Sequence, residues 1–414
     1  MLRHLPAFTL GLGLIGASAL VSATPLFRIE SELAKSHPTQ ERTWHVAIDR
    51  NIDIAKAPTL ELNLPGQAPL RAERTHVETH PGGQSWHGRL HGKAAMFTNV
   101  DGRLHGEFQI GLEHYVLSSE RGRTVLSQRS RFETRQDVET PAPMRKAATS
   151  VAAKAANSPV EIRILIAHTD AVLAAAGSSS DVASAAQFMI DQLNAIFARS
   201  VAADIRFSFA GLRRVGYDDG IDSEVALQQI STDTAIAEAR DAEGADIVVL
   251  LVENTDFAGR AFMPNTVDVG NAGVAFAVVA RSYGLNYYTF AHEIGHVMGL
   301  DHGGGAVGTG AFPWGQGHVG YVNSAAGYPE GFVTVMANIG LCGGTPPCHY
   351  VPYFSNPELT DPEPPVRGRA LGETDIADSA RALRETAATV AMYRPDVATD
   401  ELLYANFEDS DTTR

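Results

Sequence analysis

The segment from His292 to His302 carries the residues in this sequence that are best suited to chemistry. His292 and His296 are four positions apart, so on a helix they lie on one face, one turn apart, and can bind the same metal ion. Imidazole nitrogens are ligands that suit zinc. Glu293, beside the first histidine, projects to where it can act as a base toward a water molecule. The pattern predicts metal-assisted hydrolysis with Glu293 as the catalytic base.

A third metal ligand is expected at His302, and Gly299 explains how that residue reaches the metal. A continuing helix would carry His302 away, whereas a glycine at positive φ ends the helix and turns the chain back. Three histidines leave the fourth position of a tetrahedral zinc ion open to water, as catalytic sites do. The alternatives are a structural metal site and histidines buried in a core, and neither explains Glu293.

The region that holds these residues alternates strand patterns with helix patterns. This alternation predicts helices packed on a mixed sheet, with His292 and His296 on one of the helices. Asp181 is the expected N-cap of the first helix. Strand patterns lie at 161–167, 205–209, 245–252 and 275–279, and helix patterns lie at 181–199, 222–243, 287–298 and 375–393.

The rest of the chain divides into segments of different composition. Residues 1–23 have a basic start, an apolar stretch and small residues at their end, which is typical of a secretory signal peptide. Residues 24–140 alternate polar and apolar positions between turn signals, which predicts a β-rich domain. Residues 141–158 hold prolines and small residues and are the expected linker. Residues 159–395 are the expected α/β domain, and residues 396–414 are the expected acidic, flexible tail.

Composition and cysteine usage limit the location and the partners. A net charge of −15 argues against nucleic-acid binding. No segment after the signal peptide is apolar enough to span a membrane, so we expect a secreted protein, extracellular or periplasmic. Export exposes Cys342 and Cys348 to oxidation, and a local disulfide is expected between them. The alternative is a pair of free thiols.

The eleven residues from His292 to His302 resemble the signature of the metzincin zinc metallopeptidases, and further features are similar to bacterial secreted reprolysin-like (adamalysin-like) members. The resemblance implies an α/β (α+β) zincin-like catalytic domain with a mixed twisted sheet and an active-site helix. It implies one catalytic zinc ion, with Glu293 as the general base. It also implies a Met-turn, and Thr334-Val335-Met336-Ala337 is similar to one, with Met336 beneath the metal ligands.

Less specific similarities to the same family concern substrate binding and the inhibition of the precursor. Gly259, Arg260 and Ala261 resemble the edge strand that pairs with extended substrate, and Phe354, Ser355 and Asn356 resemble a segment that walls the specificity pocket. The stretch 85–117 resembles a propeptide, which implies a β-rich N-terminal prodomain acting as inhibitor or chaperone of a zymogen. Two features of this sequence differ from those of some metzincins. Asn338 stands where some members have a metal-binding Tyr, and no Cys precedes Cys342, which excludes a cysteine switch.

These observations predict a secreted zinc endopeptidase that acts on protein or peptide substrates. The alternatives are a non-catalytic zinc-containing binding protein and an amidase of cell-wall peptides. Calcium is possible in an exported protease, but neither an EF-hand loop nor a nonapeptide repeat supports it. The remaining histidines of residues 24–150 match no ligand spacing and are expected on solvated strand faces. Those histidines are His37, His45, His76, His80, His87, His91, His105 and His114.

Overall fold

The computed structural model describes residues 25–34, 40–111, 113–129, 137–141, 159–201, 204–303, 310–323, 329–342, 348–360, 370–372 and 376–395. The predicted signal peptide (1–23), residues 142–158 of the predicted linker and the predicted tail (396–414) lie outside the described residues. Within the described part of the chain, no helix is both long enough and apolar enough to cross a membrane.

The N-terminal part forms one antiparallel sheet of nine strands, which we call the β module (residues 25–129 as described). Several of its hairpins turn through two residues that both have positive φ, as at Asp101-Gly102 and Arg121-Gly122. Such turns suit the twist of paired strands, and they need glycine at one position. The strands are β1 (Phe27–Leu33), β2 (Gln40–Ile48), β3 (Thr59–Leu62), β4 (Leu70–His80), β5 (Gly83–Leu90), β6 (Lys93–Val100), β7 (Arg103–Ile110), β8 (Glu113–Glu120) and β9 (Arg123–Arg129).

The C-terminal part is a mixed α/β structure, as predicted, which we call the α/β module (residues 159–395 as described). Its main sheet has the order β10-β14-β15-β13-β11-β12, and β14 runs antiparallel to β15. The strands of this sheet are β10 (Asp137–Pro141), which precedes the module in the chain, and β11 (Val160–His168), β12 (Ile205–Arg214), β13 (Ile247–Val252), β14 (Gly259–Met263) and β15 (Phe276–Ala280) of the module itself. Its helices are α1 (Asp170–Ala176), α2 (Ser179–Ser200), α3 (Ser223–Thr232), α4 (Thr234–Ala242), α5 (Arg281–Tyr287), α6 (Thr289–Val297) and α7 (Ser379–Val390). Smaller strands follow the main sheet: β16 (Val319–Asn323), β17 (Pro329–Val333), β18 (Cys348–Tyr350), β19 (Asn356–Thr360) and β20 (Ala370–Leu371).

Helix boundaries differ from the predicted ones where polar side chains cap the backbone. The N-cap of α2 is Ser178, whose Oγ accepts from the Asp181 N–H at 3.1 Å, so the assignment of Asp181 as the cap is wrong. The predicted helix 222–243 is two helices, because Asp233 accepts from the backbone N–H groups at the start of α4. An N-cap residue has extended backbone, so a helix cannot run through it.

The predicted helix 287–298 is likewise interrupted at its start. Tyr288 has a φ of 59°, a left-handed value, and separates α5 from α6. At the other end α6 stops at Val297, and Gly299 has a φ of 90°. The glycine therefore turns the chain, as the sequence predicted, and brings His302 back toward the helix.

The two modules pack through α2. On one face of the β module, side chains such as Trp86, Phe97 and Phe108 form the core of that module. Side chains on the opposite face, such as Met96, pack on the α/β module. Strand residues alternate between faces, so both faces of β5 to β8 are covered. The short strand β10 leaves the β module and joins the edge of the main α/β sheet beside β14.

Candidate metal centre

Three imidazole rings converge at the end of α6. The Nε2 atoms of His292 and His296 are 2.9 Å apart, and the Nε2 atom of His302 is 3.0 Å and 3.1 Å from them. His292 and His296 are fully buried, and His302 is half-buried. One turn of α6 and the bend at Gly299 thus bring together the three residues predicted as ligands.

Backbone carbonyls fix the orientation of two of these rings. Nδ1 of His292 lies 2.8 Å from the carbonyl oxygen of Val335, and Nδ1 of His296 lies 2.9 Å from that of Leu300. A carbonyl can only accept, so each Nδ1 carries the proton and each Nε2 presents a lone pair. This tautomer is the one that binds a metal through Nε2.

The three nitrogens fit an ion of the size of zinc. Lone pairs about 3 Å apart repel one another unless a cation lies between them. A tetrahedral ion bound at about 2.0–2.1 Å would hold its nitrogen ligands about 3.3 Å apart. The observed separations of 2.9–3.1 Å are close to that value, so a single small cation can be held by all three rings.

Glu293 and Met336 pack closely around the histidine helix. Glu293 is fully buried, and its side chain lies against the backbone of β14 at Gly259. Met336 is fully buried under Gly295, where a β-carbon would overlap its Sδ atom and lie 3.2 Å from its Cε atom. The segment predicted to form the Met-turn therefore passes directly beneath α6.

The edge strand β14 presents alternating faces. Gly259 faces Glu293, whereas Arg260 points to the other side of the sheet, where its Nε donates to Ser223 Oγ at 2.8 Å. Ala261 packs on the same side as Gly259. The edge itself is paired, because β10 runs parallel to β14 with Asp137 opposite Gly259. The chain therefore covers the edge at which the sequence predicted substrate to pair.

The segment predicted to wall the specificity pocket is tied into the protein by its polar groups. The Phe354 N–H donates to Ser200 Oγ at 2.9 Å, and Asn356 Nδ2 donates to the Ser200 carbonyl at 2.7 Å. Ser355 Oγ accepts from the Ser379 N–H at 2.8 Å. These contacts fix the segment between the end of α2 and the start of α7.

A disulfide joins Cys342 to Cys348, as expected from their spacing and the predicted export. Their Cα atoms are 6.1 Å apart, and the bond links the 3₁₀ turn 339–342 to β18. This strand pairs with β17, which leads into the Met336 segment.

The prediction that the N-terminal histidines lie on solvated strand faces is wrong for several of them. His80, His87 and His105 are buried, and His114 is nearly so. Their face of the sheet is covered by α2, and no local pattern reveals such a partner. His37 lies outside the described residues.

A second group of possible ligands, formed by His76, Glu78 and His87, has a different geometry. The rings of His76 and His87 stack with centroids 4.4 Å apart and an angle of 3° between their planes. An imidazole lone pair lies in the plane of its ring, so two parallel stacked rings cannot direct lone pairs at one ion. We therefore assign the metal centre to the group at the end of α6, formed by His292, His296 and His302.

Comparisons with known proteins find similarity to metallopeptidases. The Metallo-peptidase family M12B Reprolysin-like matches residues 183–303, which include all three converging histidines. A peptidyl-Asp metalloendopeptidase of Stenotrophomonas maltophilia (strain R551-3) is 26% identical over 426 residues, covering 92% of this chain and 96% of that protein. A protein of the same name from Xanthomonas campestris pv. campestris is 27% identical over 412 residues, covering 92% of each chain.

Among solved structures, metalloproteinase-II from Bacteroides fragilis is similar with 12% identity and a TM-score of 0.40, covering 61% of this chain and 83% of that one. The family match and the curated relatives both concern metallopeptidases and span the segment that carries the histidines. The chain is similar to the reprolysin-like metallopeptidases over the segment that carries the histidines, and the comparisons support its identification as a metalloendopeptidase.

Proposed function

We propose that this protein is an exported zinc endopeptidase in which His292, His296 and His302 hold zinc and Glu293 is the general base. The observation that carries the proposal is the convergence of three Nε2 atoms to within 2.9–3.1 Å beside a buried glutamate. Export rests on the signal-peptide pattern of residues 1–23, and N-terminal sequencing of the released protein tests it.

Zinc, when bound, supplies a Lewis acid that polarises the scissile carbonyl and acidifies water. Glu293 follows the first ligand on α6, and its buried side chain lies against the backbone of β14 at Gly259. It takes a proton from the attacking water and delivers it to the leaving nitrogen. The carbonyls of Val335 and Leu300 hold two of the imidazoles in the ligand tautomer during this exchange.

We assign the positioning of the substrate to β14. An extended peptide pairs with its backbone by β-addition, with Gly259 next to the base. Glycine at this position lets the main chain of the substrate approach Glu293 without a side chain between them. The pairing requires β10 to leave this edge first.

The occupied edge supports a role for the β module, together with the β10 strand that follows it, as an inhibitory prodomain. Residues 137–141 use the hydrogen-bonding groups of β14 that a substrate would need. Arg260 Nη1 also donates to Thr140 Oγ1 at 3.2 Å. Inhibition by strand occupancy needs no cysteine, and no Cys precedes Cys342 in this chain.

The substitution Glu293→Gln tests the proposed function, because it keeps the shape of the side chain and removes the base. We expect the purified variant to retain one zinc ion per chain and to lose about 10²–10⁴-fold in casein hydrolysis. Hydrolysis at the parental rate would remove Glu293 from the mechanism. Absence of zinc from both proteins would remove the metal assignment.

Substrate class is tested on a small panel. The curated relatives are named peptidyl-Asp metalloendopeptidases, and we infer from that name a preference for peptides that contain Asp. Matched peptides with Asp or Asn at one position separate recognition of charge from recognition of shape. Zymograms on gelatin and on peptidoglycan separate an endopeptidase from a cell-wall amidase. Inactivity on both, with zinc retained, would favour a non-catalytic zinc protein.

A further inference from the structure

The surface between the two modules is lined with histidines. Four rings on one face of the β module, His80, His87, His105 and His114, point toward α2 or the start of α6. In each ring one buried nitrogen has no hydrogen-bond partner among the described residues. For His87, His105 and His114, a proton added to this nitrogen would be buried without an acceptor, which is costly.

His105 is the most deeply buried of the four. Ser184 Oγ donates to the Asp181 carbonyl at 2.9 Å, so Nε2–H of His105 donates to Ser184 Oγ, also at 2.9 Å. Its Nδ1 is the nitrogen without a partner. The charged groups that face this ring are Asp181 on α2, Arg103 on its own strand, and Arg281 on α5. Arg103 is already paired with Asp181 at 2.7 Å.

His114 lies where the β module meets the start of α6. Its Nε2 is 3.2 Å from Glu107 Oε2 and 3.4 Å from the hydroxyl of Tyr288. Glu107 also accepts from Gln192 Nε2 of α2 at 2.8 Å, which joins the modules. The other charged groups that face the His114 ring are Arg129 and Lys93, and both repel a second proton.

His87 stacks on His76, and the charged groups that face it are Arg199 of α2 and Glu107. His80 differs from the others, because its nitrogen without a hydrogen-bond partner, Nε2, itself faces an acceptor, the Asp191 carboxylate of α2, at 3.6 Å. We therefore leave His80 out of the acid-sensitive set. Asp191 Oδ2 in turn accepts from Thr98 Oγ1 at 2.9 Å.

The face that α2 turns to the β module is largely polar. Its contacts with the sheet involve Asp181, Ser184, Asp191 and Gln192, together with the apolar Phe188. A permanent core would be apolar here, whereas polar side chains can return to water when the surfaces separate. Both surfaces are therefore suited to reversible docking.

We propose that this histidine-lined surface is an acid-sensitive docking site, which holds the β module on the α/β module near neutral pH and releases it on acidification. The proposal rests on the inhibitory role proposed above for the β module and adds the signal that ends inhibition. The ligand of the site is the β module of the same chain. Acid acts by placing protons on rings that are buried only while the modules are docked.

The direction in which docking changes with pH follows from the number of protons that the docked and released states bind. Burial lowers the pKa of His87 and of His105 to about 3, and that of His114 to about 4. A released ring in water has a pKa near 6.5, so the released state binds more protons below that pH. Docking is therefore complete above about pH 6.5 and weakens as the pH falls toward 4. At pH 5 each ring favours release by about 30-fold.

Two carboxyl groups at the surface modify this balance. Burial raises the pKa of Asp191, so the docked state takes up a proton there more readily, which opposes release. Burial raises the pKa of Glu107, but its contact with His114 together with the charges of Arg199 and Arg129 outweighs burial and leaves that pKa below its usual range, so protonation of Glu107 favours release at low pH. Three histidines act in one direction between pH 6.5 and 5, against one carboxyl group in the other.

The test measures association of the two modules as a function of pH. A specific protease site is inserted within residues 142–158 of the full chain carrying Glu293→Gln, and the chain is cut so that both pieces remain present. We expect the dissociation constant to rise at least about 100-fold between pH 7.5 and 5.0. We also expect log Kd to rise by about 1–3 units per pH unit below pH 6, which counts the protons taken up.

A dissociation constant that changes less than about threefold over this range would overturn the proposal, and this readout needs no histidine variant. His105→Gln with His114→Gln keeps the Nε2 donors as amides and should remove most of the pH dependence. His91→Asn, at an exposed position with a φ of 51°, should leave it intact. A full pH response in the double variant would also overturn the proposal. Association is read without turnover, so an inactive wild-type enzyme would contradict the proposed function alone.

Discussion

A β-carbon at position 259 would lie 2.7 Å from Cδ and 2.8 Å from Cγ of Glu293. The backbone of the edge strand β14 and the buried glutamate are therefore in direct contact. Because of this contact, the strand on which we expect substrate to pair and the residue that we propose as the base are held in a fixed relation. The absence of a side chain at Gly259 is a condition for that arrangement.

Gly259→Ala should therefore move Glu293. The added methyl group cannot fit beside the carboxylate, so the side chain must rotate or β14 must shift. We expect kcat to fall by about 10–100-fold, because a small misplacement of a catalytic group is costly. Zinc content should stay at one ion per chain.

Gly216→Ala is the matched control, because a β-carbon there meets no atom within 4 Å. Steady-state kinetics on one peptide and metal analysis of both variants make the comparison. Equal kcat values for the two variants would show that the contact with Gly259 does not position Glu293.

Gly295→Ala tests the packing of Met336 under the histidine helix. Alanine in place of glycine favours a helix by about 1 kcal/mol. Here the added methyl group would overlap Met336 Sδ, and overpacking of a core costs about 1–3 kcal/mol. We expect a net loss in the free energy of unfolding, measured by denaturant titration.

The second substitution Met336→Ala removes the overlapping sulfur. The double variant should then lose less stability than the sum of the two single variants, because the two side chains compete for one space. Strict additivity of the three measurements would contradict the proposed contact.

The metal motif and the hairpins could be predicted because local rules govern them. Spacing places His292 and His296 on one helix face, and positive φ at Gly102 and Gly299 is a property that glycine supplies. The break at Asp233 was missed, because an N-cap within a helical pattern looks like any polar surface position.

Features that depend on distant partners could not be predicted. His105 alternates with apolar neighbours as a solvated residue would, and only the arrival of Ser184 on α2 buries it. The pairing of residues 137–141 with β14 joins segments more than 100 positions apart, and the parallel register between them has no sequence signature.

Thr140→Val should loosen the strand that covers β14. The substitution keeps the β-branched shape and removes the hydroxyl that accepts from Arg260 Nη1 at 3.2 Å. A hydrogen bond to a charged group contributes about 1.5–3 kcal/mol, which bounds the effect at about 10–100-fold. We expect the uncut chain to cleave a short peptide faster than the parent, within this limit.

Thr59→Val is the control, because it makes the same chemical change on β3, at the far edge of the β module. It should leave the rate for the uncut chain unchanged. A Thr140→Val rate equal to that of the parent and of this control would contradict inhibition through β10.

Removal of the metal should weaken the protein as well as inactivate it. Without a cation the three Nε2 lone pairs face one another at 2.9–3.1 Å, and the turn that brings His302 to α6 loses its anchor. We expect a chelator to abolish hydrolysis and to lower the melting temperature, and we expect added zinc to reverse both effects.

His302→Ala should reproduce the chelated state in buffer without chelator and retain well under one zinc ion per chain after dialysis. His76→Ala, which removes an exposed histidine of the β module, should retain its zinc and melt as the parent does. If the His302→Ala protein keeps a full equivalent of zinc through dialysis, the third ligand must be another residue, and the bend at Gly299 would have a different purpose.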